Sequence, residues 1–310
     1  MKITALAGGV GGAKLVDGLA QCLSANDLNV IVNTGDDFNH FGLHISPDID
    51  TVCYTLAGIS NKKTGWGREN ETWTVFNSIK ALGGPKWFKL GDKDLATHLE
   101  RTRQLHEGRK LSETMNYFCR KWGIEVNVMP MTNDAVMTIV QTQDGKEMNF
   151  QDYFVKYKFQ PPVKGFIFKG IAKARPAPGV IDSIQKADVI IICPSNPWVS
   201  IDPILSIRSI RGALKSKPVI ALSPIIGHKA LKGPAAKMFK EIGEAPSAST
   251  VAKHYRDLIC GFILHKTDFN EIVQIEQWGI IATALDIIMS DMIQRKRLAQ
   301  EVLEFCNQLI

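Results

Sequence analysis

Apolar residues recur along the chain in short runs, separated by glycine, proline and polar turns. Ile3 to Ala7 is the first run and reads as a buried strand. Gly8-Gly9-Val10-Gly11-Gly12 follows, and then a helical pattern from Ala13 to about Ser24, with leucines at 15, 19 and 23 on one face. Asn29 to Thr34 is a second strand, built on Val30-Ile31-Val32. From about Asp48 to Gly123 the pattern turns helical, over Asp48–Ala57, Glu71–Leu82, Leu95–Arg103 and Leu111–Trp122, and no strong strand interrupts it. Val126 to Met129 and Ala135 to Gln143 read as strands. The latter turns at Asp144-Gly145 into Lys146–Phe150, a hairpin or sheet edge. Gly165 to Phe168 is another strand, and Val180 to Ala187 a short helix. Asp188 to Cys193 is a near-continuous apolar run, the mark of a parallel strand covered on both faces. It ends in the rigid turn Pro194-Ser195-Asn196-Pro197. Lys217 to Leu222 repeats the pattern and ends in Ser223-Pro224. A lysine-rich stretch from Gly227 to Gly243 becomes helical after Pro234. Thr250–Leu258 is a helix, Gly261–Leu264 and Ile280–Ala284 are the last strands, and a terminal helix starts at Asp291.

Strands alternating with helices predict an α/β fold with a doubly wound, mostly parallel sheet. The expected organisation is one α/β domain over residues 1–310, with a mostly helical insertion at about 58–124. At 310 residues, 45% hydrophobic and 22% charged, the composition is that of a soluble globular protein. Its six cysteines are scattered, with no C-x-x-C pair, which predicts reduced thiols in a cytoplasmic protein and no zinc site. No targeting segment is visible, and the apolar run from Gly279 to Ser290 is too short to span a bilayer. The formal net charge of +6 suits an anionic substrate. Lysines and arginines are spread out, with no interleaved aromatic motif, so no nucleic-acid partner and no membrane partner is expected.

The candidate chemistry gathers where strands end. Asn33 to Gly58 holds four aspartates, at 36, 37, 48 and 50. Asp36 and Asp37 follow a strand, at the carboxyl edge where open α/β sheets bind ligands. Ser46-Pro47-Asp48 reads as a helix start, with Ser46 as cap and Pro47 at the first helical position. Asp50 then falls in the first turn, facing the strand end. Carboxylates about 4 Å apart repel by roughly 4 kcal/mol at an effective dielectric near 20. Mg²⁺ removes that cost, and it commonly takes one or two carboxylates plus phosphate oxygens. The same acids also suit helix caps and solvated turns. Removing one of them is expected to leave the metal-free fold unharmed or stabilised.

The glycines between the first strand and helix form a phosphate cradle of bare N–H groups at a helix N-terminus. Lys14 stands where a dinucleotide fingerprint has its last glycine, and Leu15 where a Walker A loop has Ser or Thr. The alternative is a tight turn packed on the sheet. Trp66 lies in Gly65-Trp66-Gly67-Arg68. Trp87, Phe88, Lys89, Asp92, Lys93 and Asp94 form a second aromatic–charged loop, with Asp94 as helix cap. Aromatic rings beside a cation suit a flat, polar ring system. Loop anchoring is the ordinary alternative for both tryptophans. His40 and His44 are four apart, but Gly42 between them argues against a helical metal pair.

Six segments in order, AGGVGGAK (7–14), NTGDD (33–37), ISPDIDT (45–51), WFKLGDKDLATHLER (87–101), CPSNPWVSIDPI (193–204) and HYRD (254–257), resemble the CofD family. These are the 2-phospho-L-lactate transferases of deazaflavin coenzyme (F-420) biosynthesis. Each motif alone is weak, and the six together cover nearly the whole chain. The resemblance implies a Rossmann-like fold and a Mg²⁺-dependent transferase. A 2-phospholactyl group would pass from lactyl-2-diphospho-5'-guanosine to the ribityl hydroxyl of a deazariboflavin, releasing GMP. It implies that Gly9, Gly11 and Gly12 cradle phosphate and that Ser195 and Asn196 contact the nucleotide. Asp36, Asp37 and Asp50 would hold metal, with Asp50 also the catalytic residue that positions the acceptor hydroxyl. Lys89, with Trp66 or Trp87 nearby, would bind the deazaflavin. A homodimer is expected on the same ground. The alternative is a non-catalytic nucleotide- or nucleotide-sugar-binding regulator of the gluconeogenesis-factor type, which shares the core fold. Those relatives are glycine- and serine-rich just after the acidic pair, whereas Phe38-Asn39-His40-Phe41-Gly42 stands here.

Overall fold

In the first strand Ile3, Ala5 and Ala7 bury into one apolar cluster and Leu6 into another. Leu28, Val30 and Val32 are divided from Ile31 in the same way, as are Val189 and Ile191 from Ile190 and Ile192. Side chains alternate across a strand, so strands apolar at every position need helices on both faces. The computed structural model, which describes residues 1–227, 229–230 and 234–310, has that arrangement. Its central sheet contains β1 (Ile3–Ala7), β2 (Leu28–Val32), β3 (Asn127–Pro130), β4 (Val189–Ile192), β5 (Val219–Leu222), β6 (Gly261–His265) and β7 (Ile281–Leu285). They lie in the order 7-6-5-4-1-2-3, all pairings parallel. The order reverses at β1, between β2 and β4, and a crevice at such a reversal is where doubly wound sheets bind ligands.

Five helices lie before β3: α1 (Gly9–Ala20), α2 (Pro47–Leu56), α3 (Thr74–Ala81), α4 (Asp92–His106) and α5 (Leu111–Lys121). The terminal helix Met292–Leu309 packs with α1, α2 and α5 on one face. Helices Val180–Lys186, Arg208–Leu214, Ala235–Glu241 and Ala248–Tyr255 cover the other. Within the 58–124 stretch, α5 sends Leu111, Met115, Phe118 and Cys119 into the same cluster as β2. By contrast α4 buries Thr97, His98, Arg101, Thr102 and Gln104, a wholly polar face. What α4 covers is therefore charge, not oil.

Several boundaries differ from expectation. The first helix starts at Gly9 and ends at Ala20, so the glycines form its first turn. Asp92 opens α4 after Gly91, so Asp94 lies inside the helix and does not cap it. A hairpin, Phe38–His40 with Leu43–Ile45, follows the acidic pair. Its three-residue strands are too short to show a period. The 137–142, 147–149 and 163–169 strands form a separate antiparallel sheet beside the crevice. Of the lysine-rich 227–243 stretch, His228 and residues 231–233 lie outside the described residues.

Gly11 is where two turns meet. A Cβ there would fall on the carbonyl oxygen of Pro194, at the end of β4. Gly12 is similarly tight, its Cβ position 2.9 Å from Ser195 Oγ and 3.1 Å from Ala7 Cβ. Gly11→Val should therefore lower the melting temperature of the nucleotide-free protein, by overpacking worth about 1–3 kcal/mol. An unchanged melt would mean that the two turns can part freely.

Candidate active site

A cavity of about 960 Å³ opens over the carboxyl ends of β1 and β4. Gly9, Gly11, Asp36, Asp50, Trp66, Trp87, Lys89, Ser195 and Asn196 all line it, and so does Asp48. Two expected site residues do not. Gly12 is packed against Ser195 and Ala7, and Asp37 faces the hairpin.

The acidic stretch owes its geometry to the end of β2 and the start of α2. Asn33 is fully buried. Its Oδ1 accepts from Gly35 N (2.8 Å) and its Nδ2 donates to Asp48 Oδ2 (2.9 Å). Asp48 also accepts from the Gly9 backbone N–H. The first turn of α1 contains no acid of its own, and Asp48 reaches over from α2 to supply one, favourable beside a helix N-terminus. Burial pushes Asp48 up to about 6 despite those hydrogen bonds, and Asp37 adds repulsion. Burial also holds Asp36 well above the usual carboxylate range, with the charge of Asp48 the next cause. Asp36 Oδ1 is buried with no hydrogen-bond partner.

Asp37 Oδ2 takes Ser46 Oγ at 2.8 Å and lies 3.0 Å from His44 Nε2. Ser46 stands at the N-cap position, before Pro47 as expected, yet its hydroxyl serves Asp37 instead of the helix amides. The pair of histidines four apart is split by the hairpin. His44 meets Asp37, while His40 is buried against Trp87, Phe88 and Phe41.

Asp50 is held quite differently. Arg101 is completely buried and grips both carboxylate oxygens, Nη1 to Oδ2 at 3.1 Å and Nη2 to Oδ1. Arg101 Nη1 also lies 3.3 Å from the His44 carbonyl oxygen and 3.2 Å from His98 Nδ1. His98 Nε2 stands 3.3 Å from Asp94 Oδ1, which accepts from Tyr54 Oη at 2.7 Å. Burial raises Asp50, and the charges of Arg101 and His98 work against it. Asp36, Asp37 and Asp50 are thus not gathered round one point. Among the described residues no three His, Cys, Asp or Glu side chains are grouped to hold a metal by themselves. A smaller donor set does fit a hard cation: Asp36, with an unpartnered oxygen, and Asp48 both line the cavity.

On the β4 side Ser195 Oγ donates to the Gly8 carbonyl (2.7 Å) and stands 3.4 Å from Gly8 N, so it pins the glycine turn. Asn196 Oδ1 accepts from Trp198 N at 3.1 Å. Lys89 lines the cavity, with its ammonium 4.7 Å from the centre of the Trp73 ring and 5.7 Å from that of Phe76. Trp66 is 52% exposed at the mouth. Sequence reasoning missed Asp48 as the partner of the glycine turn, and Arg101 and His98 as the partners of Asp50. Asp94, His98 and Arg101 are four and three apart, one helical face, and that spacing was the available signal. It also passed over Phe150, Phe154 and Phe159, which line the same cavity.

A doubly wound sheet with a cavity at its reversal point, flanked by a glycine turn and buried acids, defines an α/β enzyme of the nucleotide-handling type. The model of the 2-phospho-L-lactate transferase family CofD matches residues 3–297, and the chain belongs to that family, transferases of coenzyme F-420 biosynthesis. It is 40% identical to a phosphoenolpyruvate transferase of Streptomyces coelicolor, over 100% of this chain and 99% of that protein. It is 42% identical to one of Thermobifida fusca, over 94% and 93%. It is 39% identical to a 2-phospho-L-lactate transferase of Methanopyrus kandleri, over 100% and 99%. A solved UPF0052-family protein of Bacillus halodurans shares the fold, with TM-score 0.64 at 13% identity over 97% of this chain and 98% of that one. No helix among the described residues is long and apolar enough to cross a membrane.

The carboxylates give two stability predictions. Asp48 binds a proton in the folded state between about pH 4 and about pH 6 that the unfolded chain has released. The stability of the metal-free protein should therefore fall as pH rises through about 6, by up to about 3 kcal/mol from this group. Asp48→Asn should flatten that slope in melts run with a chelator; an unchanged slope would place the proton elsewhere. Asp50→Asn should behave in the opposite sense to the expectation from repulsion alone. It leaves the Arg101 charge buried without its counter-ion, which costs on the order of 3 kcal/mol. A melting temperature equal to wild type would mean that Arg101 finds another partner.

Proposed function

We propose that the protein transfers a phosphate carrying a three-carbon acid, 2-phospholactate or its enolpyruvyl or glyceryl relative. The donor is guanosine diphosphate-linked, the acceptor is the ribityl hydroxyl of a deazariboflavin, and GMP is released. The observation that carries this reading is one cavity with buried acids at a glycine turn on one side and aromatic rings on the other. Relatives with lactyl and enolpyruvyl names match at similar identity, which supports a common reaction with a variable acid.

In this reading the amides at the start of α1 and the Ser195-Asn196 turn flank the donor diphosphate. Asp36 and Asp48 would hold Mg²⁺, with Asp37 supporting from behind. When bound, Mg²⁺ neutralises charge on the diphosphate. Asp50, fixed by Arg101, accepts a hydrogen bond from the acceptor hydroxyl and sets its oxygen in line with the phosphorus. That oxygen forms the new O–P bond as the bond to GMP breaks, and the hydroxyl proton is released. Positioning and charge stabilisation are the main sources of rate in such transfers. Trp66, Trp87 and Lys89 bind the deazaflavin. A regulator of the gluconeogenesis-factor type is not favoured by the family match over 3–297.

The test is incubation with deazariboflavin, Mg²⁺ and each of the three donors in turn, read by mass spectrometry. The expected result is a phosphodiester product and an equal amount of GMP with one donor at least. Asp50→Asn should slow turnover about a hundredfold, the rate lost with a charged positioning group worth about 3 kcal/mol. No product with any donor would return the protein to the regulator class.

A further inference from the structure

Residues 150–159, FQDYFVKYKF, carry five aromatic rings and two lysines. They form one wall of the cavity, and no role in catalysis has so far been given to them. Phe150 and Phe154 are stacked, with centroids 5.6 Å apart and planes 3° apart, and Phe159 continues the stack at 6.0 Å and 24°. All three line the cavity, together with Lys158. Lys156 lies over the Trp87 ring at 6.0 Å, which makes this wall continuous with the expected deazaflavin side.

The backbone here is unusual. Asp152–Lys156 is a turn of π-helix, with Tyr157 N bonded to Asp152 O at 2.9 Å. Lys158 and Phe159 both have positive φ, 50° and 48°, which bulky residues rarely adopt. Fully buried Tyr153 holds this conformation. Its carbonyl accepts from Phe159 N at 2.8 Å, and its hydroxyl donates to Phe159 O at 3.4 Å. An aromatic ring needed only for packing would turn inward. Phe159 is instead strained, locked and 39% exposed at the cavity. Strain held by surrounding structure is a mark of a ligand clamp, and π-turns gather at functional sites.

We propose that Phe150, Phe154 and Phe159 are a stacking platform for the flat tricyclic ring of the acceptor, with Lys158 beside its polar edge. The inference rests on the proposed acceptor. A row of parallel rings offers its edge and face to a long ring system, and ring stacking of this kind contributes about tenfold in affinity per ring. The acceptor then lies between this platform and Trp87, with its ribityl chain directed to Asp50.

The experiment is titration of deazariboflavin, followed by the anisotropy of its own fluorescence, with GDP affinity measured by calorimetry. Two variants are used, Phe154→Leu, which keeps bulk, and Phe159→Gly, which removes the ring and relieves the positive φ. Each should weaken deazariboflavin binding about tenfold or more and leave GDP binding within twofold. GDP binding kept within twofold, together with a cooperative melt of each variant, rules out unfolding as the cause. Unchanged deazariboflavin affinity in both variants would overturn the platform alone. A loss of GDP affinity instead would overturn it in favour of a guanine platform. No deazariboflavin binding by the wild-type protein would overturn the proposed acceptor and the platform together.

Discussion

Four carboxylates within fifteen residues, all nearly or fully shielded from water, are the constraint on which this structure turns. An unpaired buried charge shifts its pKa or finds a partner. Each aspartate has found a different answer. Asp50 has Arg101, Asp37 has Ser46 and His44, and Asp48 has Asn33 and the amide of Gly9. Asp36 and Asp37 each keep a buried oxygen without a hydrogen-bond partner, and of the two Asp36 lines the cavity. The partners dictate the architecture around them. The polar inner face of α4 exists to bring Arg101 and His98 to Asp50, and the short hairpin exists to bring His44 to Asp37. A buried ion pair adds little net stability compared with apolar packing. In the proposed reaction its worth would be orientation.

The sheet was legible because its signal is local. Every central strand is an apolar run ended by turn chemistry, and all seven fall within a few residues of where the pattern puts them. The ends were less legible. α1 begins on glycines, poor helix formers, and only the approach of the Pro194 carbonyl explains why they are there. The hairpin after Asp37 was invisible, because three-residue strands carry no usable period. The site was legible as a set of segments and not as a set of pairs. Asp36, Asp48 and Asp50 were visible as acids at a strand end and a helix start. Which of them meets Arg101 depends on how α4 docks, fifty residues further on. The phenylalanine stack was hidden for a similar reason: Phe154 sits on the π-turn four residues after Phe150, and Phe159 joins them only through the positive-φ turn at Lys158 and Phe159.

The glycine turn shows how far a local reading can go. Strand, glycines and helix predicted a phosphate cradle at the helix N-terminus, where a carboxylate also finds favourable surroundings. The protein supplies one itself, in Asp48. Gly8 is glycine for that reason as well, since a Cβ would lie 2.7 Å from Asp48 Oδ2 and 2.7 Å from Ser200 Cβ. Ser195 then clamps the turn from the β4 side through the Gly8 carbonyl. Three chain segments meet there with no room for a side chain.

An internal carboxylate at the cradle alters what a diphosphate meets on arrival. The Gly9 amide already has Asp48 as acceptor, and Asp36 adds a second acid nearby. Where they are ionised, another anion brought up to them meets like charge, which costs several kcal/mol at a desolvated contact. A divalent cation held by these carboxylates would reverse the sign of that term. In the proposed function the acids would make nucleotide binding conditional on the cation, where a plain glycine cradle would bind phosphate without one. The far wall carries no such condition. Phe150, Phe154 and Trp87 are apolar, and a flat ring can enter against them by desolvation alone. On the proposed function one cavity would serve two kinds of recognition, a charged half that needs its ion and an aromatic half that does not. For a transfer between a nucleotide-linked donor and a ring-bearing acceptor, that division would keep the two substrates from competing for the same surface.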